Sequence, residues 1–288
     1  MVLVTGAGGK TGLALLRELG RRGRPSRALV RTEAKTPSVL EAGASEVYCG
    51  DLLDRRSMER AFDGISTVYH IPPNIHEEEV TIGENLLQLA LERKVEHFVY
   101  HSVLHPYVHA MPHHLKKAQV EERIFASGLS FTILQPEAYM QNYLPGLDRA
   151  RSEGVFPVPY PADSRLGLVH LEDVACAAAS VIGDAQYFQA TYEISSGQCW
   201  TPHQMAEAMS AVLKRPVQVL EISHEAWEAG AQEANMSRYQ IETLQKMFVY
   251  YARNGFWGNS VVLERLLGRP PKTFNEFLLE QEPAHPDA

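Results

Sequence analysis

Cysteine is scarce: three in 288 residues, Cys49, Cys176 and Cys199. The count is odd and no CxxC spacing occurs, which argues against a disulfide framework and against a thiolate zinc site. Basic residues are outnumbered as well. A formal net charge of −8 excludes broad attraction to nucleic acid or to an anionic membrane surface. The nearest basic cluster, Arg21, Arg22 and Arg24, suits the C-terminal end of a helix. No apolar run approaches the roughly 20 residues of a membrane span. Strand-like residues begin at Val2, leaving no space for a leader, so a cytoplasmic location is the expectation. There is no internal repeat and no low-complexity tract, and the tail from Pro283 reads as frayed.

What is present is a core and a glycine turn. With 45% apolar residues, the chain can bury one large domain, or a main domain with an appendage. Residues 2–4 form a short apolar run, followed by Thr5-Gly6-Ala7-Gly8-Gly9-Lys10-Thr11-Gly12 and a helical stretch over 13–19. A diphosphate needs main-chain N–H donors at a helix N-terminus. Side chains at Gly6, Gly9 or Gly12 would block the turn, the approach and the helix packing respectively. Between a strand and a helix, the motif points to a dinucleotide, with Gly8, Lys10 and Thr11 completing the turn.

Strand-like runs over 26–30, 46–48, 67–71, 97–101 and 130–134 alternate with helical stretches over 35–42, 55–62, 77–92 and 114–126. This rhythm predicts an α/β fold, a Rossmann-like doubly wound parallel sheet with its ligand crevice at the carboxyl ends of the strands. Beyond about residue 150 the rhythm changes. Residues 155–161 carry three prolines and read as a loop, 166–169 as a strand, 170–182 as an alanine-rich helix and 190–194 as a last strand of the main sheet. Helices over 202–213, 225–231, 238–251 and 260–267 follow. The expected organisation is a nucleotide-binding domain over 1–150, its sheet completed by parts of 165–195, and a smaller, mainly helical substrate and capping subdomain over 151–288.

At the end of the second strand-like run stands Arg31, where a carboxylate would suit a ribose 2′-hydroxyl and a cation suits a 2′-phosphate. Lys35 can approach the same group, whereas Glu33 tempers a strict NADP preference. Asp51 can accept from an adenine amino group while Leu52 packs on the ring, or Asp51 is a turn aspartate. Ile71, Pro72 and Pro73 end the fourth strand, where they can wall the adenosine ribose. Cys49 reads as a small buried residue at a strand end, or as a redox-sensing thiol beside the nucleotide.

His97, His101, His105, His109 and His113 recur every four residues, but the strand over 98–100 and Pro106 and Pro112 break any helical ladder, so no metal is expected. His113 and Lys117, four apart, share one helix face. In a carbonyl reduction a lysine beside the proton donor lowers its pKa and can bind the ribose, and Ser102 can hydrogen-bond the same oxygen. Each has a plain structural reading too: Ser102 as a strand-end cap, Lys117 as a solvated charge, His113 as a loop residue.

These residues resemble the NmrA-like branch of the atypical short-chain dehydrogenase/reductase superfamily. The likeness rests on the glycine turn, Val30-Arg31, Gly50-Asp51-Leu52, Lys117 with Val120-Glu121, Thr132-Ile133-Leu134-Gln135-Pro136 leading to Asn142, and Trp200-Thr201-Pro202. It implies that Lys117 contacts the nicotinamide ribose and that Pro136 to Tyr139 line the nicotinamide pocket. The superfamily's usual YxxxK pair is broken, since His113 stands in the tyrosine's place, leaving His113, Tyr107, Tyr139 or water as proton donor.

Members resembling quinone and triphenylmethane-dye reductases manage without that tyrosine, because their products are stabilised by aromatisation or charge loss. The resemblance therefore implies an NADPH-dependent reductase of a quinone-like or conjugated small molecule. NADP(H) is preferred and NAD(H) allowed, with Tyr139, Tyr143, Phe156 and Trp200 as pocket walls. A homodimer is compatible with it. The alternative is a non-enzymatic NADP(H) sensor acting through a protein partner. An epimerase or dehydratase fits less well without the tyrosine.

Overall fold

The computed structural model describes residues 1–282, so the tail from Pro283 lies outside the described residues. The chain divides into two compact units, Met1–Pro136 with Val174–Glu193, and Glu137–Asp173 with Ile194 onward.

The first unit is built on β1 (Val2–Val4), β2 (Ser26–Val30), β3 (Glu46–Cys49), β4 (Thr67–His70), β5 (His97–His101), β6 (Phe131–Pro136) and, from after the excursion into the second unit, β9 (Ala190–Ile194). They form one seven-stranded sheet in the order β3-β2-β1-β4-β5-β6-β9. The registers from β3 through β6 are parallel, with Val4 opposite both Ala28 and Tyr69. The strand order reverses between β1 and β4, which is where a doubly wound sheet opens its crevice. Helices α1 (Lys10–Arg21), α2 (Thr36–Glu41), α3 (Arg55–Met58), α4 (Glu79–Glu92) and α5 (Pro112–Ala126) make the connections. Leu3, Phe62, Val68, Phe98, Tyr100 and Ile124 lie in one buried core.

Several helix starts shift by one to three residues from expectation, and two of the shifts have a plain physical reason. Helix α1 begins at Lys10 rather than 13, so Gly12 lies in its first turn: a Cβ there would stand 2.5 Å from Ala7 Cα and from Gly6 O. Helix α5 begins at Pro112, two residues early, because the first helical position needs no N–H from the chain. Cys49 is exposed, not buried, since β3 is the free edge of the sheet. The histidine spacing makes no ladder: His97 and His101 lie in β5, His105 has φ +50°, and His113 is in α5.

The second unit contains α6 (Leu144–Glu153), β7 (Val155–Val158), β8 (Leu166–Gly167), the first turn of α7 (Leu171–Val181), β10 (Cys199–Trp200), α8 (Pro202–Leu213), β11 (Gln218–Glu221), α9 (His224–Glu233), α10 (Arg238–Asn254), α11 (Val261–Leu267) and α12 (Phe274–Glu280). It is mainly helical, with two two-stranded sheets, β10-β8 and β11-β7. The loop expected over 155–161 is therefore a strand at its start. Pro157 sits opposite Leu220 in a pair whose strands each keep one edge free, which is where a sheet tolerates a residue without N–H. The strand expected over 166–169 shrinks to two residues paired with β10. Among the described residues no helix is long and apolar enough to cross a membrane.

Candidate active site

The carboxyl ends of β1 and β4 are stitched together by Thr5. Its Oγ1 lies 2.8 Å from His70 Nδ1 and accepts the Ile71 N–H at 3.0 Å. Beside it Gly6 turns at φ +60°, and a Cβ there would meet Ile71 O at 2.7 Å, so both the backbone angle and the space require glycine. Gly9 donates its N–H to Gly6 O at 3.0 Å and caps α1 without any side-chain hydrogen bond, leaving the first turn of the helix for a ligand. The Lys35 stem lies across Gly8, its Cγ 3.1 Å from where a Cβ would be. Arg31, exposed just past β2, and the Lys35 ammonium have no hydrogen-bond or ion-pair partner among the described residues. Lys10 and Thr11 open α1.

Asp51 closes a turn, one carboxylate oxygen accepting the Leu53 N–H at 2.9 Å, and the Leu52 side chain packs against the core. Ile71 and Pro72 are buried and Pro73 half-buried, directly after β4. Pro136 ends β6, its carbonyl accepting the Leu104 N–H at 2.8 Å.

A second cluster forms where α4 passes α5. Gly83 makes the approach close, since a Cβ there would stand 2.9 Å from Val120 Cγ1. One turn earlier on each helix, Glu79 and Lys117 face one another, Lys117 Nζ donating to Glu79 Oε1 at 2.6 Å. Tyr100 OH donates to the same oxygen at 3.1 Å, whereas Glu79 Oε2 is buried without a partner. One turn later on α5 a second buried carboxylate, Glu121, accepts from Ser102 Oγ and from Gln135 Nε2.

His113 is 8% exposed and its Nδ1 has no partner. Burial first, then His114 and the Lys117 charge, push its pKa down to about 2. The imidazole is neutral at pH 7 and holds no ready proton, which argues against His113 as the acid. His70 and His101 are pushed down to about 3, and His97 and His114 to about 4, burial being the largest cause in each.

The four residues read as pocket walls all belong to the second unit. Tyr139 is half-buried and bridges to Val169. Tyr143 OH lies 3.2 Å from Tyr160 OH, and its ring lies 6.0 Å from Phe156 and 6.5 Å from Phe274. Trp200 lies 5.3 Å from Phe274. Phe156, 1% exposed, sits in the core beneath Gly146.

Glu79, Glu121 and Gln135 are the functional-looking residues that sequence reasoning gave no role. The available signals were a carboxylate four residues before a helical glycine and the Lys117 to Glu121 spacing of one turn.

A parallel, doubly wound sheet whose first turn requires glycine at positions 6 and 12 defines a Rossmann-like α/β protein. The chain belongs to the NmrA-like family, whose model matches residues 1–278. It is 25% identical over 279 residues to the NAD(P)H azoreductase of Xenophilus azovorans, with 96% of each chain covered. The NADPH-dependent quinone oxidoreductase of Escherichia coli, solved with NADPH, matches 97% of this chain and 99% of its own at 24% identity and a TM-score of 0.84. Triphenylmethane reductase from Citrobacter sp., solved with NADP(H), matches 98% and 99% at 22% identity and a TM-score of 0.85.

Proposed function

We propose that this protein is an NAD(P)H-dependent oxidoreductase, preferring NADP(H), that reduces a small conjugated acceptor of the quinone or azo class. The observation that carries the reading is the pair of cations, Arg31 and Lys35, that have no partner among the described residues, beside a helix start with no side-chain cap and crowded against any side chain at Gly6 or Gly12. The turn suits a pyrophosphate and the guanidinium an additional phosphate. When bound, the cofactor supplies a hydride.

The protein's own groups hold and shield. Lys117 presents an ammonium already balanced by Glu79, able to meet a ribose hydroxyl without adding net charge. Within the second unit, Tyr139, Tyr143 and Trp200 offer aromatic surface of the kind a planar acceptor stacks on, and Phe156 packs against Tyr143. A quinone or azo acceptor suits a site whose histidines are neutral, because its reduced form needs less help from a strong acid. The names of the azoreductase and quinone oxidoreductase relatives support the same acceptor class.

Steady consumption of NADPH with a panel of quinones and azo dyes is the expected result; no turnover of any member at saturating cofactor would overturn the reading. Arg31→Ala is expected to weaken NADPH binding about tenfold or more, the scale of one charge-assisted contact, and to leave NADH nearly unchanged. Calorimetric titration with both nucleotides measures this, and unchanged selectivity would place the phosphate contact elsewhere.

A further inference from the structure

We propose that Tyr107, Glu121 and Ser102 form a proton relay, in which Glu121 stores the proton that Ser102 passes to the reduced acceptor. The proposal rests on the oxidoreductase reading above and supplies what the absent tyrosine leaves open.

The groups lie in series from solvent to interior. Tyr107 is 63% exposed, and its OH stands 3.4 Å from Glu121 Oε2. Ser102, at the carboxyl end of β5 and 3% exposed, donates to Glu121 Oε1. Gln135, from β6, donates to both carboxylate oxygens, at 2.9 and 3.1 Å, which fixes the plane of the carboxyl group so that one oxygen faces Ser102 and the other Tyr107. A clamp serving only to hold β5 to α5 would need no arm reaching the surface.

Three charged or titratable groups face Glu121: Lys117 from the previous turn of α5, Tyr100 from β5 and Tyr107 from the loop between them. Burial raises the Glu121 pKa, and the hydrogen bonds from Ser102, Gln135 and Tyr107, with the Lys117 charge, oppose that rise. Protonated, the carboxyl O–H turns to Ser102 Oγ and releases the serine hydrogen to point at a ligand.

Once the acceptor has gained the hydride it is an anion on oxygen or nitrogen. The Ser102 O–H bond then breaks toward that anion while the Glu121 O–H bond breaks toward Ser102 Oγ. The Glu121 carboxylate recovers a proton from water through the Tyr107 hydroxyl, which gives one and takes one. Overall, one acceptor, one NADPH and one proton give one doubly reduced, protonated product and one NADP⁺.

Acceptors that differ in proton demand test the relay. A cationic triarylmethyl dye becomes neutral on gaining hydride and needs no proton, whereas a quinone or azo compound does. Glu121→Gln keeps the shape of the side chain but cannot store a proton. It is expected to lower the ratio of quinone to dye turnover about tenfold or more, the scale of general acid catalysis, and to remove the corresponding limb of the pH profile. Tyr107→Phe should lower the same ratio less. In the free protein, infrared titration should show a carboxylic acid band persisting above the ordinary glutamate range and absent from Glu121→Gln.

An equal slowing with both acceptors, or no acid band lost in the variant, would overturn the relay. Should Glu121→Gln fail to fold, Ser102→Ala must show the same acceptor-dependent split. If the wild type consumes neither acceptor, the oxidoreductase reading fails, and the infrared titration still decides separately whether Glu121 stores a proton.

Discussion

Lys117→Met is expected to destabilise the protein by about 3–5 kcal/mol, because it strands a carboxylate inside the first unit. The Glu79 side chain is 1% exposed and that of Lys117 is 13% exposed, so water can do little to replace the lost ammonium. Tyr100 supplies one hydrogen bond to Oε1, and Oε2 has none. Removing the charge at both ends, in Lys117→Met with Glu79→Gln, should restore most of the loss, since two neutral side chains of similar size avoid the burial cost altogether. Urea unfolding of the wild type, both single variants and the double variant measures the coupling. Additive losses would mean that the pair does not share its charge as its 2.6 Å separation implies.

Acid is expected to cost as much. His70, His97, His101, His113 and His114 are buried neutral, with pKa values pushed down to between about 2 and about 4. In the unfolded chain they take up protons near pH 6.5, so the stability they contribute is complete above that pH and is lost as the pH falls toward their folded values. Each adds a slope approaching about 1.4 kcal/mol per pH unit within that window.

Two carboxyl groups work in the opposite direction. Glu137, accepting from Ser195 Oγ and the Ser196 N–H, is raised by burial to about 7, and Glu121 is also raised. Between those raised values and the ordinary glutamate range, the folded chain holds the extra proton and gains stability in acid. Five groups outweigh two, so the urea midpoint should fall steadily between pH 7 and pH 5. A flat profile would show that the imidazoles are protonated in the fold.

The parallel sheet could be read from the sequence because each of its central strands is a short apolar run between helical stretches, and both faces are buried. Helix α6 could not. Leu144-Pro145-Gly146 looks like a break, yet the proline occupies the first turn, where it costs nothing, and Gly146 is small because the Phe156 ring fills its Cβ space. Pro157 likewise sits in a strand where a loop is expected, because that strand has a free edge that no local pattern announces. Cys49 is exposed where burial is expected because the sequence does not say which strand ends a sheet.

The glycine turn and Arg31 stood out because each is unusual at its position. Glu79 and Glu121 are two of 35 acidic residues, and the local spacings that mark them, Glu79 to Gly83 and Lys117 to Glu121, occur on any helix and say nothing of burial. Their importance comes from the close passage of α4 and α5 at Gly83 and Val120, a long-range event that no window of sequence contains.

The sheet takes its seventh strand from residues that follow a 37-residue excursion, Glu137–Asp173, into the other unit. During synthesis, β6 therefore emerges with its outer hydrogen-bonding edge unclaimed and must wait for β9 before it is sheltered. A chain ending near residue 140 would carry that open edge, the kind of exposed strand that pairs with other chains.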